Sequence, residues 1–257
     1  MSSRGGTADV DDYLLAQHSS LEWTHWWFQG RRRILEDVLD RYVVRATDHQ
    51  MELLDVGCGA GVMLPALQRF GHVSAMDTAK DAVSFCQERF PDARLYVGRV
   101  PEDLPPPGSL DVVTAFDVLE HIEDDESAAR SIAGALRPGG MFVCSVPAYM
   151  SLWGPHDVLN HHQRRYRRPQ LVAVLERAGL EVEWVSYFNT FLYPPTAAVR
   201  MGRRLLKREE TASSDFDVPS GAANGVLARL FASERHLLRH VRLPFGVSIV
   251  AVARRRA

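Results

Sequence analysis

Two stretches of this chain hold residues whose types and spacing can do chemistry. The first is Leu53-Leu54-Asp55-Val56-Gly57-Cys58-Gly59-Ala60-Gly61. An apolar run meets an acid and then three glycines at alternate positions. Glycine lets the backbone turn sharply and lets a ligand approach with no Cβ in the way. A helix starting just beyond presents free N–H groups and a positive dipole end. Asp77 ends the next apolar run, 22 residues after Asp55. An acid there can accept two hydrogen bonds from a ribose diol. The spacing is G-x-G-x-G, not the G-x-G-x-x-G of a dinucleotide fold. A dinucleotide, or a tight turn with a capped helix and no ligand, are the competing readings.

The second stretch runs from Pro147 to Tyr166, after another apolar run. It holds His156, His161 and His162, with Tyr149, Trp153, Asp157, Arg164 and Arg165. If it leaves the carboxyl end of a strand, it overhangs the ligand crevice. Three readings compete. It supplies a general base and a substrate clamp, since histidine has the pKa range for the task. It is a structural lid whose histidines and arginines bond backbone and one another. Or His156, Asp157, His161 and His162 bind a divalent metal, although their spacing matches no standard metal motif. His121, in Leu119-Glu120-His121, is either a working group or a polar cap.

These residues need elements to position them. Strands are expected at Met51–Val56, His72–Met76, Ala93–Val97, Leu110–Phe116, Met141–Val146, Val182–Tyr187 and Val247–Ala253. Helices are expected at Gly61–Phe70, Thr78–Phe90, Glu126–Leu136 and Pro169–Ala178, with a turn at Arg137-Pro138-Gly139-Gly140. Strands alternating with helices imply an α/β fold with parallel units and a doubly wound sheet. Residues 1–12 read as a tail and 13–257 as one domain. Within it, 13–48 forms a helical cover and 188–245 a helical insertion. Thr211–Asn224 reads as a loop.

Composition narrows the classes. Of 257 residues, 46% are hydrophobic and 24% charged, which excludes a largely disordered chain. The net charge of −2 gives no basic field for nucleic acid. Cys58, Cys86 and Cys144 form no C-x-x-C pair, so a cytoplasmic setting without disulfides is expected. No apolar run is long enough to span a membrane.

LLDVGCGAG, Asp77, DVVTAFDVLEHI and LRPGGMFVCSVP, in that order, resemble the class I S-adenosylmethionine-dependent methyltransferases. Within them the chain is similar to the subgroup that includes ubiquinone-pathway O-methyltransferases and many bacterial small-molecule methyltransferases. The resemblance spans about Trp23 to Tyr187 and is specific for the cofactor rather than the acceptor. It implies a Rossmann-like, doubly wound seven-stranded sheet with an antiparallel last strand. It also implies that S-adenosylmethionine is consumed and S-adenosylhomocysteine released. By the same resemblance Asp55, Gly57, Cys58, Gly59 and Gly61 hold the methionine end. Asp77 takes the ribose and Met76 flanks the adenine. Arg99 and Val100 stand in the segment that meets the adenine amine, with Arg99 where an acid is common. Phe116, Asp117 and His121 lie beside the reactive sulfonium.

Methyl transfer is an in-line displacement on a carbon that is already activated. The protein aligns the partners, excludes water and removes a proton where needed. An oxygen acceptor calls for a base, and His156 or His161 is the expected one, with His121 the third candidate. Trp27, Arg31, Tyr149, Trp153, His156, Arg165 and Tyr166 are expected to contact a small-molecule acceptor. N- or C-methylation, and a non-catalytic cofactor-binding module, are the rival functions. The aromatic cluster Trp23, Trp26, Trp27 and Phe28 either packs on the sheet edge or covers the cleft. Phe188–Arg208 interleaves apolar residues with Arg200, Arg203, Arg204, Lys207 and Arg208. It reads as a surface helix, as a peripheral membrane contact, or, with Val226–His240, as a cap or homodimer surface.

Overall fold

The computed structural model describes residues 21–205 and 221–256, without the side chains of residues 203–205. The tail expected over 1–12, the start of the cover at 13–20, and Leu206, Lys207, Arg208 and the front of the 211–224 loop lie outside the described residues. The central sheet is β1 (Met51–Val56), β2 (Gly71–Asp77), β3 (Arg94–Val97), β4 (Leu110–Phe116), β5 (Leu136–Pro147), β6 (Leu180–Phe188) and β7 (Ser248–Arg255). The order is β3-β2-β1-β4-β5-β7-β6. The first five strands pair in parallel, and β7 runs antiparallel to both β5 and β6. Parallel strands buried on both faces read as continuous apolar runs. Accordingly Leu53, Leu54, Val112, Val113, Phe142 and Val143 are all buried.

Chain order reverses on either side of β1 and β4, so a crevice opens at the carboxyl ends of these two strands. The helices of the described residues are α1 (Trp26–Tyr42), α2 (Leu64–Leu67), α3 (Lys80–Arg89), α4 (Asp125–Ala135), α5 (Pro155–Leu159), α6 (Arg168–Arg177), α7 (Tyr193–Leu205) and α8 (Gly221–Leu238). Ile34, Leu35, Val38 and Leu39 give α1 its buried face. His25 caps α1 by accepting from Trp27 N at 3.2 Å. Asn224 of α8 accepts from Trp26 N at 2.7 Å, which stitches the two helices together. A Cβ at Gly30 would lie 2.5 Å from the Phe231 ring, so glycine is what lets α8 approach α1. Pro194 and Pro195 stand in the first turn of α7, where no N–H is required. No helix among the described residues is long and apolar enough to cross a membrane.

Three expectations need correction. The helix expected over Gly61–Phe70 is a regular helix only over Leu64–Leu67. Gly61 itself has φ +71°, a conformation outside the helical region. The expected turn at Arg137–Gly140 is the start of β5. There a register shift opposite Leu110 and Val112 and a φ of +78° at Gly139 absorb the bend within the strand. Finally, α8 begins at Gly221, so the last residues of the expected loop are helical.

The segment after β5 is folded around Asp157, whose side chain is fully buried. Its Oδ1 lies 2.7 Å from Arg165 Nε and 2.8 Å from His162 Nδ1, and its Oδ2 accepts from Gly154 N at 2.8 Å. Arg165 also donates to Ala148 O, and Gln163 N to Glu120 O at 2.7 Å. Tyr166 hydroxyl donates to Asp125 at 2.6 Å. These bonds tie the segment to the ends of β4 and β5. Removing one member of a buried ion pair leaves the other charge desolvated and unpaired. Asp157→Ala should therefore lower stability by about 3–5 kcal/mol, read from equilibrium urea unfolding. A loss below about 1 kcal/mol, the scale of an exposed pair, would contradict this packing.

Candidate active site

A cavity of about 610 Å³ opens over the carboxyl ends of β1 and β4. Its floor is Asp55 of β1 and Gly57, Cys58 and Gly59 of the glycine loop, with Phe116 at the end of β4 and Asp117, Glu120 and His121 after it. Trp26, Trp27, Phe28 and Arg31 of α1 cover one side. Leu152, His156, Asn160, His162 and Arg165 come from the segment after β5. Leu192, Pro195, Thr196, Val199 and Arg200 close it from α7 and the turn before it.

The glycine loop turns because Gly57, Gly59 and Gly61 all have positive φ, +69°, +51° and +71°. Gly61 has a further reason. A Cβ there would meet the Phe90 ring at 2.7 Å and Cys86 Sγ at 2.9 Å. Asp77 closes the loop, its carboxylate accepting from Gly59 N and Ala79 N, both at 2.9 Å. Residues 21–24 reach the loop from the other side. Glu22 Oε2 accepts from Ala60 N at 3.2 Å, and Trp23 Nε1 donates to Ala60 O at 3.1 Å. Trp23 also stacks near Phe90 and lies under Arg89.

Acids crowd this floor. Burial pushes the fully buried Asp55 carboxyl up to about 7, although Thr114 donates to it at 2.6 Å and Arg31 lies nearby. Burial likewise raises Glu22, against the hydrogen bond from Ala60. Glu120 is fully buried, both its carboxyl oxygens lack a hydrogen-bond partner among the described residues, and burial with the charge of Asp117 drives its pKa well up. Asp117 is compensated. Arg31 lies 2.8 Å from its Oδ2, and Ser145 hydroxyl donates to its Oδ1 at 2.9 Å. Arg31 is itself held over the Trp27 ring, 5.4 Å from its centroid. Desolvated carboxyls and an unpartnered buried acid suit a ligand that brings positive charge.

On the side built by the segment after β5 the histidines converge. Burial alone would raise Asp157, but hydrogen bonds from His162 and Arg165 outweigh it and hold it well below the usual carboxylate range. An ionised carboxylate only accepts. The Nδ1 of His162 must therefore carry the proton toward Asp157, which in the neutral imidazole leaves the lone pair on Nε2. The His162 ring meets His121 edge to face at 4.6 Å and His156 at 5.9 Å. Partial burial and His162 lower the pKa of His121. Among the described residues, Glu120, His121 and His162 each place a ligand atom within 4.8 Å of the others, a spacing a metal ion could use.

The structure brings together many of the residues singled out from sequence, and not others. Asp55, Gly57, Cys58, Gly59, Phe116, Asp117, His121, Trp27, Arg31, His156 and Arg165 line one cavity. His161 does not. It is exposed, with φ +54°, on the outer turn after α5. Tyr149 stacks on Tyr187 at 5.1 Å, Tyr166 is buried against Asp125, and Trp153 also stays off the cavity wall. At the far end, Met76 is buried, its sulfur 3.7 Å from the Tyr96 hydroxyl. Arg99 is exposed, and its N–H donates to Asp103 at 3.0 Å. Val100 is buried and joined to Pro101 by a cis peptide. Among the described residues, the grouping whose spacing a metal could use shares only His162 with the set weighed from sequence. Glu22 and Glu120 were not singled out, since isolated acids in helical stretches carry no spacing signal. His162 was weighed from sequence as a metal ligand, and not as the base.

Comparison with known proteins bears on this geometry. The sequence profile described as a methyltransferase domain matches residues 24–185. Similar curated proteins include the ubiquinone biosynthesis O-methyltransferase of Xanthomonas campestris pv. campestris (strain B100), 33% identical over 66% of this chain and 80% of that protein. The protein of that name from Chromobacterium violaceum is 30% identical, over 70% and 87%. The one from Xanthomonas euvesicatoria is 35% identical over 56% of this chain. The match spans 66% of that relative's length, and 61% of a Mycolicibacterium smegmatis relative's. Among solved structures, an S-adenosylmethionine-dependent methyltransferase from Mesorhizobium loti superposes with a TM-score of 0.56 at 19% identity, over 85% of this chain and 96% of that one. Geranyl diphosphate methyltransferase in complex with S-adenosylmethionine gives 0.58 at 16%, over 89% and 90%. At such identities these structures show the fold alone. On the profile match and the curated relatives, the chain belongs to the methyltransferase-domain family, in the S-adenosylmethionine-dependent class that its motifs resemble.

Proposed function

We propose that this protein methylates an oxygen of a small, largely apolar acceptor at the expense of S-adenosylmethionine, with His162 as the general base. The observation that carries the base assignment is the pair Asp157–His162, 2.8 Å apart. A buried carboxylate fixes the imidazole tautomer and leaves Nε2 free to take a proton. The apolar reading of the acceptor is supported by Trp27, Phe28, Leu192, Pro195 and Val199 on the cavity wall. The names of the O-methyltransferase relatives support oxygen as the accepting atom.

S-adenosylmethionine, when bound, supplies a methyl carbon activated by its sulfonium. Asp55, Gly57, Cys58 and Gly59 would hold the methionine end, and Asp77 the ribose. The acid-rich floor suits the positive charge of this cofactor. Arg31, fixed by Asp117 and Ser145, would keep α1 closed over the cleft and exclude water. His162 would take the acceptor proton as the oxygen attacks. His121, its pKa lowered, would stay neutral beside it and add no repelling charge.

Two outcomes follow. Asp55 titrates near 7, and its ionised form attracts a cation. Protonation on acidification removes that attraction. Cofactor affinity measured by calorimetry should fall as pH drops through about 7, approaching tenfold per unit below it, and Asp55→Asn should flatten the dependence. An equally steep profile in that variant would contradict the assignment. With a phenolic or quinol test acceptor, His162→Gln should lower kcat roughly 100-fold or more while cofactor affinity stays unchanged. Turnover near wild type would sink the base.

A further inference from the structure

Away from the cavity, the outer faces of α1 and α8 share a recess of about 200 Å³. It is lined by Arg33 of α1 and by Arg229, Ala232, Ser233, Arg235 and His236 of α8. Three guanidinium groups at one hollow repel one another, so the acids on the same two helices should screen them. They do not. On α1, Glu36 pairs with Arg32, Asp37 with Arg41 and Arg239, and Asp40 with Arg69. On α8 the one acid, Glu234, is buried and accepts from Phe191 N at 2.9 Å. Among the described residues, no carboxylate lies within ion-pair distance of Arg33, Arg229 or Arg235.

From this we infer that the recess is an anion site for a phosphoryl group. Guanidinium forks match the oxygens of a phosphate in both charge and geometry. The Ser233 hydroxyl, which donates to Leu230 O at 2.6 Å, would turn from that carbonyl to meet an anion, and His236, which accepts from Arg235 at 3.5 Å through Nε2, has its other ring nitrogen to offer as a donor. The phosphoryl group has two sources, a soluble phosphate or a phospholipid headgroup. Exposed Val226, Leu230 and Leu237 run along α8 beside the arginine edge, apolar surface that a lipid would cover.

The test uses the whole protein and inorganic phosphate as probe, by calorimetry or 31P NMR. Saturable binding is expected, weakened roughly tenfold or more by Arg33→Gln and by Arg229→Gln, the factor of a lost bond to a charged group. Thermal melting and cofactor affinity of both variants should stay as in wild type. A second arm sediments the protein with phosphatidylcholine vesicles, with and without phosphatidylglycerol. Variant-sensitive binding to the anionic vesicles, competed by phosphate, supports the site with a headgroup as the source. Phosphate binding without vesicle binding supports it with a soluble source. No saturable phosphate binding, or binding that both variants retain in full, overturns the site whatever the vesicles show.

Discussion

The buried carboxylate of Asp157 is the constraint on which the histidine-lined side of the cavity depends. Its oxygens are taken by Arg165, His162 and Gly154 N. A charge in that position is tolerable because both oxygens have donors and a guanidinium lies beside them. The same bonds do two things at once. They fold a segment with little regular structure over the ends of β4 and β5, and they fix the tautomer of the imidazole that faces the cavity. The fold of this segment and the orientation of His162 are therefore coupled. A change that loosens the segment also releases the histidine.

The cofactor side is built by a different device. Three positive-φ glycines let the loop after β1 turn under the first helical residues. Asp77 and Glu22 take N–H groups of that loop from opposite sides. The cavity floor thus collects acids that are poorly hydrated and only partly compensated, with Arg31 meeting Asp117. Such a floor is costly for the empty protein and favourable for a cationic ligand. The cover, α1, is held both by Arg31 on the inside and by α8 on the outside, so closing the cleft and seating the insertion are one packing problem.

Much of this was legible in the sequence because it is local. Strand ends, the glycine loop and the interval from Asp55 to Asp77 are set by periodicity and by backbone conformation. Met51–Val56 and Leu110–Phe116 coincide with the observed strands. What sequence could not rank were neighbouring histidines, because orientation comes from a partner distant in the fold. His161 and His162 are adjacent, yet a turn with φ +54° at His161 sends it to solvent while its neighbour meets Asp157. Tyr149 and Tyr166 looked like acceptor contacts and instead hold the segment from behind. Glu120 could not be foreseen as an unpartnered acid, since that depends on everything packed around it.

The most direct test of the account is a label-partition assay. Purified protein is incubated with methyl-labelled S-adenosylmethionine and a cell extract, and the products are separated into small molecules, lipid, protein and nucleic acid. The account predicts protein-dependent label in the small-molecule or organic-soluble fraction, as a methyl ether. Label confined to protein or nucleic acid, or no transfer at all from a protein that binds the cofactor, would contradict it.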